Sequence, residues 1–540
     1  MKKFITLLCL ISFTVFGQDY VPNQLLVQLK TSTIEHSFFR QFEASNQIEF
    51  ESTSCISIPM NIYVLTFHET EDIDAILKLL KTEKNVTAAQ FNHYVQERET
   101  IPNDDLFTAN QWHLKNTGQT GGTTDADIDS DLAWDITTGG QTATNDDVVV
   151  CMIESGNLDH IDLTANRWVN TAEIPNNGQD DDGNGYIDDY NGWNPIANND
   201  DYGNGGHGTN CLGMIGAKGN NGSLVVGANW DVKLMVIGGY SVQTQAAVIE
   251  AYTYPLIMRQ RWNNSNGTEG AFVVATSASW GLDNTQASSR PLWCQFYDTL
   301  GLYGILNVGA TTNNNTNVDV QGDVPTQCSS PYMIGVGRTD HNDQWEGGYG
   351  VTTIDFGAPG VNVVTTAGNS GTTTTTGTSF SCPLTAGVIG LAYSIPCADF
   401  MTIVKNDPQT GADLVLDALL NGVDVKPNLS NRYITSGRLN AKNTLDLLMA
   451  VGCDGDLCLP PNGTANVTGD NTASITFTPF GDATATNVFW REVGSANWTE
   501  IDNASSPVSL TNLSECTEYE FYATSTCNAE TSSNSSIQTF

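Results

Sequence analysis

Gln24-Leu25-Leu26-Val27-Gln28-Leu29 and Ile62-Tyr63-Val64-Leu65-Thr66-Phe67 are short, largely apolar runs, which read as two strands. Ile73, Ile76, Leu77 and Leu80 follow at helical spacing, so residues 18–100 read as a small α+β unit. From Val148 the pattern changes. Short apolar runs, Val148 to Ile153 and Val232 to Ile237, alternate with helical stretches such as Ala246 to Met258. This alternation predicts an α/β domain over residues 101–450, with a parallel sheet, helices on both faces and functional residues at the strand ends. Beyond Ala450 the chain turns to Thr, Ser and Asn between brief β-rich runs at 474–477, 487–491 and 519–523. Short strands with regular turn signals predict an all-β sandwich over residues 455–540.

The first residues follow a different rule. Met1-Lys2-Lys3, an apolar run from Phe4 to Phe16 and then Gly17-Gln18 form a signal peptide over 1–17, so a secreted, extracellular protein is expected. No later run approaches the length of a membrane span. At 540 residues with 40% hydrophobic content, the chain has the composition of several folded domains. Sixty acidic against 22 basic residues give a net charge of -38, which argues against nucleic acid or an anionic membrane as partner. Of the 12 cysteines, Cys453, Cys458, Cys516 and Cys527 cluster near the tail and are expected to pair, though the pairing cannot be deduced from spacing.

Candidate chemistry begins at Gly377-Thr378-Ser379-Phe380-Ser381-Cys382-Pro383, where small residues lead into a serine that opens an apolar helical run. A hydroxyl at a helix N-terminus sits among unpaired N–H groups that favour developing negative charge, and Pro383 is expected within the first turn. Alone, this is equally the signature of an N-cap serine. His207 stands in Gly206-His207-Gly208-Thr209-Asn210-Cys211, and an acidic residue closes Val149-Val150-Cys151-Met152-Ile153-Glu154-Ser155-Gly156.

The order of these three motifs resembles the subtilase family of serine proteases, and the resemblance covers most of residues 100 to 450. Tyr332 to Gly337, Asp355 to Val361, Gln111 to Gln119 and Ala133 to Gly139 match the family as well. It implies a subtilisin-like fold and a serine endopeptidase acting on protein or peptide substrates, with Ser379 as nucleophile and His207 as general base. Glu154 then occupies the triad-acid position. Gly304 to Asn313 resembles the strand ending in the oxyanion-hole asparagine, which selects Asn313; Thr312 replaces the usual glycine, and Asn314 and Asn315 follow, so a polar turn is the other reading. Asn85 to Val95 resembles the end of subtilase propeptides. Residues 18–100 would then be an inhibitory, chaperone-like partner, removed between Tyr94 and Asp105. Trp490, Trp498, Leu513 and Tyr519 resemble a fibronectin type III module, whose partner would be an extracellular or cell-surface ligand. Ala278-Ser279-Trp280-Gly281 resembles the strand lining the family's first substrate pocket.

Glu154 is the irregularity, because the family carries aspartate there. Its extra methylene moves the carboxylate by more than an ångström, and Glu154→Asp is expected to keep or raise activity. Asp159 and Asp162 are weaker substitutes, since both fall past the strand end. Two other readings stand beside the peptidase: a catalytically weak or inactive protein of the same fold that works by binding or adhesion, and a peptide-bond ligase or processing enzyme of the family. Cys382 and Cys211 read as buried small side chains.

A second site lies in Asn177 to Asp189. Oxygen side chains at Asp180, Asp182, Asn184 and Asp188, with Tyr186 at the backbone-carbonyl position and Gly185 at the turn, follow most of the EF-hand loop pattern for calcium. The twelfth position holds Asn191 instead of glutamate, so the bidentate ligand comes from elsewhere, for instance Asp189. The competing reading is a solvated acidic loop.

Overall fold

The computed structural model describes residues 20–540 except 32, 95–98, 240–243, 454–457, 459, 479–482, 528, 529, 533 and 536. The signal segment 1–17 and part of the expected maturation window therefore lie outside the described residues. The chain divides into two compact units, one ending at Arg98 and one beginning at Glu99.

In the first unit, strand Tyr20–Leu29 lies between Ile62–Phe67 and Val86–His93, with Phe50–Ser57 on the outer edge, all antiparallel. Period-two alternation sends Leu25, Val27 and Leu29 into the core, where they meet Phe38, Phe39 and Phe42 of helix Glu35–Asn46. Helix Ile73–Thr82 buries Ile73, Ile76, Leu77 and Leu80 in the same core, and Asp72 caps it by accepting from the Ala75 N–H at 3.0 Å.

The second unit is built on one large sheet. Its parallel strands run in the order Gly437–Arg438, Phe356–Pro359, Met333–Thr339, Leu306–Ala310, Val273–Ala278, Val149–Met152 and Lys233–Val236. Alternate residues of one strand serve two cores: Val148, Val150 and Met152 face one, Val149, Cys151 and Ile153 the other. Helices Gly206–Gly216 and Thr378–Ala392 fill the first core, whereas Gln245–Ser265 and Pro291–Leu302 fill the second. After Met152 the chain continues to one neighbouring strand and later to the other. Val149–Met152 thus lies where the sheet reverses its winding, at whose strand ends open α/β folds place their ligands.

Beyond helix Ala441–Gly452, two antiparallel sheets share a core of Ile475, Phe477, Val488, Leu510, Phe521 and Ala523. The cysteine expectation is corrected here. Cys458 pairs with Cys527, but Cys453 reaches back to Cys397, and Cys294 pairs with Cys328. Cys516 sits exposed on a positive-φ residue and is a free thiol. Among the described residues, no helix is long and apolar enough to cross a membrane.

Candidate active site

Glu154 lies just past the end of strand Val149–Met152, and His207 lies in the first turn of helix Gly206–Gly216. Two of the glycines around His207, Gly205 and Gly208, have a steric cause. A Cβ at Gly208 would stand 2.1 Å from the Ser155 carbonyl oxygen, and one at Gly205 would stand 2.3 Å from it. Only bare backbone lets the helix start press against the strand end that carries Glu154. His207 Nδ1 and Glu154 Oε1 are then 2.7 Å apart. The hydrogen bond to Glu154 raises the His207 pKa above its usual 6.5, against the lowering effect of burial. The other carboxylate oxygen, Oε2, is buried without a partner among the described residues.

Ser379 lies in the first turn of helix Thr378–Ala392 and is 8% exposed. Pro383 lies inside this helix beyond its first turn, contrary to the sequence expectation, and the difference has a local cause. Proline supplies no N–H to the carbonyl four residues back, which is that of Ser379. That orphaned carbonyl accepts instead from Ser279 Oγ at 2.8 Å and Cys211 Sγ at 3.3 Å. Burial raises the Cys211 thiol well above its usual pKa, so it stays neutral. Among the described residues, Ser379 Oγ donates to the Ser279 carbonyl at 3.4 Å instead of to His207. Loose catalytic hydrogen bonds are ordinary before substrate is bound. The ring of Phe380, the next residue, is 5.7 Å from the imidazole, and Cys211 Sγ is 3.9 Å from Nδ1, so Ser379 and His207 are neighbours.

Asn313 follows strand Leu306–Ala310 and reaches the same helix start: its Oδ1 accepts from the Thr378 N–H at 3.1 Å, while Thr378 Oγ1 donates to the Thr311 carbonyl at 2.5 Å. Asn314 turns to Asp283 at 3.1 Å instead. With its oxygen held by donors, the Asn313 amide must direct its nitrogen elsewhere. The other candidates are occupied: Asp159 pairs with Arg167, and Asp162 accepts from the Val225 N–H at 3.1 Å. His160 bonds the Gly371 carbonyl, His341 bonds Thr120, and His113 is buried with its pKa lowered to about 3. Beside His207 opens a cleft of about 620 Å³, walled by Trp280, Trp293, Val248 and Leu282, with Arg290 also in its lining. Trp280 is pinned by donating its indole N–H to the Ile153 carbonyl at 2.6 Å.

The acidic loop gathers some of its expected ligands and not others. Oxygens of Asp180, Asp182 and Glu173 lie within 4.8 Å of one another. Glu173, which sequence spacing did not single out, is 4% exposed; its Oε1 accepts from the N–H groups of Asp181 and Asp182, and its Oε2 is buried without a partner among the described residues. A buried carboxylate oxygen with no donor fits a cation better than an empty loop does. Asn184 sits beside them, donating to Asp182 and Asp189. Asp188 turns away to the N–H groups of Asn177 and Gly178, and the Tyr186 ring packs on Trp193 and Tyr254. Asp189 is taken by Tyr254, Asn184 and Asn170.

Residues 145–402 match the model of the Subtilase family, Peptidase_S8. The chain is 27% identical over 321 residues to "Subtilisin-like protease 1" of Plasmodium berghei, covering 55% of this chain and 49% of that protein. It is 24% identical over 414 residues to "Extracellular protease" of Xanthomonas campestris pv. campestris, covering 68% and 65%, and 24% identical over 315 residues to "Cell wall-associated protease" of Bacillus subtilis, covering 58% and 30%. The chain thus spans from 30% to 65% of the length of these curated relatives. A solved structure of proteases from Pseudoalteromonas arctica aligns with 65% of this chain and 100% of its own at a TM-score of 0.45 and 20% identity. The motifs around Glu154, His207 and Ser379 all lie within the residues that match the subtilase family model, and the parallel sheet joins them.

Proposed function

We propose that this chain is a secreted serine endopeptidase that cleaves peptide bonds through an acyl-enzyme on Ser379. In this reading Ser379 Oγ attacks the scissile carbonyl while His207 takes its proton, and Glu154 holds the imidazole with Nδ1 protonated and Nε2 free to act. The tetrahedral oxyanion is received by Asn313 and the Ser379 N–H. His207 then gives its proton to the leaving amine as the C–N bond breaks, and water repeats the sequence to release the acid. The observation that carries the proposal is the 2.7 Å contact between Glu154 and His207, because it removes the objection that glutamate is the wrong length. For the same reason the non-catalytic reading is not adopted.

Residues 18–100 serve as the propeptide of this enzyme, and residues 1–17 as its export signal; three disulfides and the names of two relatives, extracellular and cell-wall-associated, support export. The module after residue 455 binds an extracellular or cell-surface ligand. A structural calcium ion is held by Asp180 and Asp182 with Glu173 added to the set, and it fixes the long segment between Glu154 and His207.

The test is the intact mass of residues 18–540 as wild type and as Ser379→Ala. Loss of the segment ending near Arg98 from wild type alone is expected. Equal, uncut masses, together with no cleavage of a peptide library, would reject the proposal.

A further inference from the structure

We infer that Arg338 is a positioning residue for the oxyanion donor Asn313, and that its charge makes Asn313 a stronger donor; the inference rests on the role given to Asn313 above. Arg338 lies near the end of strand Met333–Thr339, directly after the matched segment Tyr332 to Gly337. Its Nη1 donates to Asn313 Oδ1, the same oxygen that accepts from the Thr378 N–H, while Thr378 Oγ1 gives its one proton to the Thr311 carbonyl. A cationic donor and a backbone donor therefore converge on one amide oxygen. Rotating the amide would turn its NH₂ into both of them, so the orientation is fixed and the nitrogen faces away from Arg338 and Thr378.

The electrostatic consequence goes further than orientation. A cation on an amide oxygen draws electron density from the nitrogen, and hydrogen bonds in series strengthen one another. The charge also lies behind the group that meets the oxyanion, where positive potential favours the transition state over the neutral carbonyl. Only 12% of the Arg338 side chain is exposed, so solvent screens this charge less than a surface one.

A merely structural role competes with this one. Arg338 also contacts Glu346 at 3.2 Å, and the two residues face each other where Trp345–Glu346 pairs antiparallel with the strand end. A merely structural Arg338 would do no more than anchor that short strand. The two roles separate in kinetics. Arg338→Met should lower kcat about tenfold, a fraction of the 10² to 10³ that a whole oxyanion donor is worth, with KM held within about twofold. Affinity for a peptide boronate, which places an anionic oxygen in the hole, should fall by the same factor. In an Asn313→Ala background the Arg338→Met change should cost less than about twofold, since the two residues act as one unit. Arg338→Lys, which keeps the charge, should recover part of the loss, and Glu346→Gln should keep kcat.

Loss of kcat in Glu346→Gln equal to that in Arg338→Met would assign Arg338 to anchoring the strand and overturn the inference. So would an undiminished effect in the Asn313→Ala background, or wild-type kcat in Arg338→Met. Thermal melts of each variant separate misfolding from lost chemistry. A wild type with no turnover overturns the peptidase reading and this inference together, whereas turnover indifferent to Arg338 overturns the inference alone.

Discussion

The active site and the acidic loop of residues 173–189 are both clusters of charged and polar groups, yet they reach order by opposite routes. At the active site the partners come from distant parts of the chain and, except for Glu154 Oε2, which has none among the described residues, are supplied by the protein itself. His207 answers Glu154, Thr378 and Arg338 answer Asn313, and Ser279 and Cys211 answer the carbonyl that Pro383 leaves open. In the loop the carboxylates come from one short segment and lean on backbone N–H groups, while Glu173 Oε2 has no donor among the described residues. The contrast teaches where each site should be sensitive. The first fails when one of its own side chains is removed; the second fails when something from outside is withheld.

The strongest way to break the comparison is to unpair His207. Glu154→Gln keeps the size of the side chain but removes the charge and leaves the wrong tautomer in place, and should lower kcat by about 10⁴. The pH profile carries a second signature. With neutral His207 as the proposed base, its raised pKa keeps it protonated to higher pH, so activity should rise with pH through a midpoint above 6.5 in wild type. In Glu154→Gln the residual activity should rise at lower pH than this. Glu154→Asp now has a different expectation from the one its sequence suggested. With Oε1 already 2.7 Å from Nδ1, removing a methylene withdraws the carboxylate, and a displacement of this size costs on the order of 10². Steady-state kinetics on one peptide checks all three. An Asp variant as active as wild type would mean that the site adapts and is not held as tightly as argued.

The next effect in size is expected at Asn313, the proposed oxyanion donor. Asn313→Ala should reduce kcat by about 10² to 10³ with KM nearly unchanged. Asn314→Ala, at the neighbour turned toward Asp283, should change kcat by less than about threefold. Equal losses from the two changes would mean that the turn as a whole matters and that the contact from Thr378 to Asn313 does not single out a donor.

The same contrast explains what the chain revealed in advance. Ser379, His207 and Glu154 stand in motifs some of whose neighbours have a steric reason, such as the Cβ clash forbidden at Gly205, Gly208 and Gly156, so motif and geometry support one another. The strands at Val148 to Ile153 and Val232 to Ile237, and the helix covering Ala246 to Met258, were legible because burial dictates their apolar runs. Pro383 was misplaced because the rule for proline presumes that its carbonyl has no other donor; Ser279 and Cys211 come from elements that no local reading joins to it. Arg338 and Glu173 were invisible for the same reason. Neither lies at a spacing that marks it, and each gains meaning only from what the fold brings opposite. Cys516 shows the converse: clustering with Cys453, Cys458 and Cys527 suggested that it pairs, but it is exposed and free, while Cys527 pairs with Cys458.

The smallest effect on chemistry, and the sharpest test of the contrast, is cation removal. If calcium supplies the missing partner of Glu173, EDTA in calcium-free buffer should destabilise the wild type, because a ligand that binds only the folded state stabilises it by about 2.7 kcal/mol at a hundredfold excess over its dissociation constant. For a unit of this size that corresponds to a drop of roughly 2–4 °C or more in melting temperature. The kinetic constants at a temperature well below the melt should hardly move, since no loop carboxylate touches Glu154, His207 or Ser379 among the described residues. Glu173→Gln should melt lower than wild type in calcium yet lose most of the response to EDTA, because its amide cannot replace the anionic oxygen. Asp188→Asn should keep the response, since Asp188 is spent on the N–H groups of Asn177 and Gly178. A full EDTA response surviving in Glu173→Gln would move the cation out of this loop. The loop would then be a self-sufficient network like the active site, and the difference drawn between the two regions would be lost.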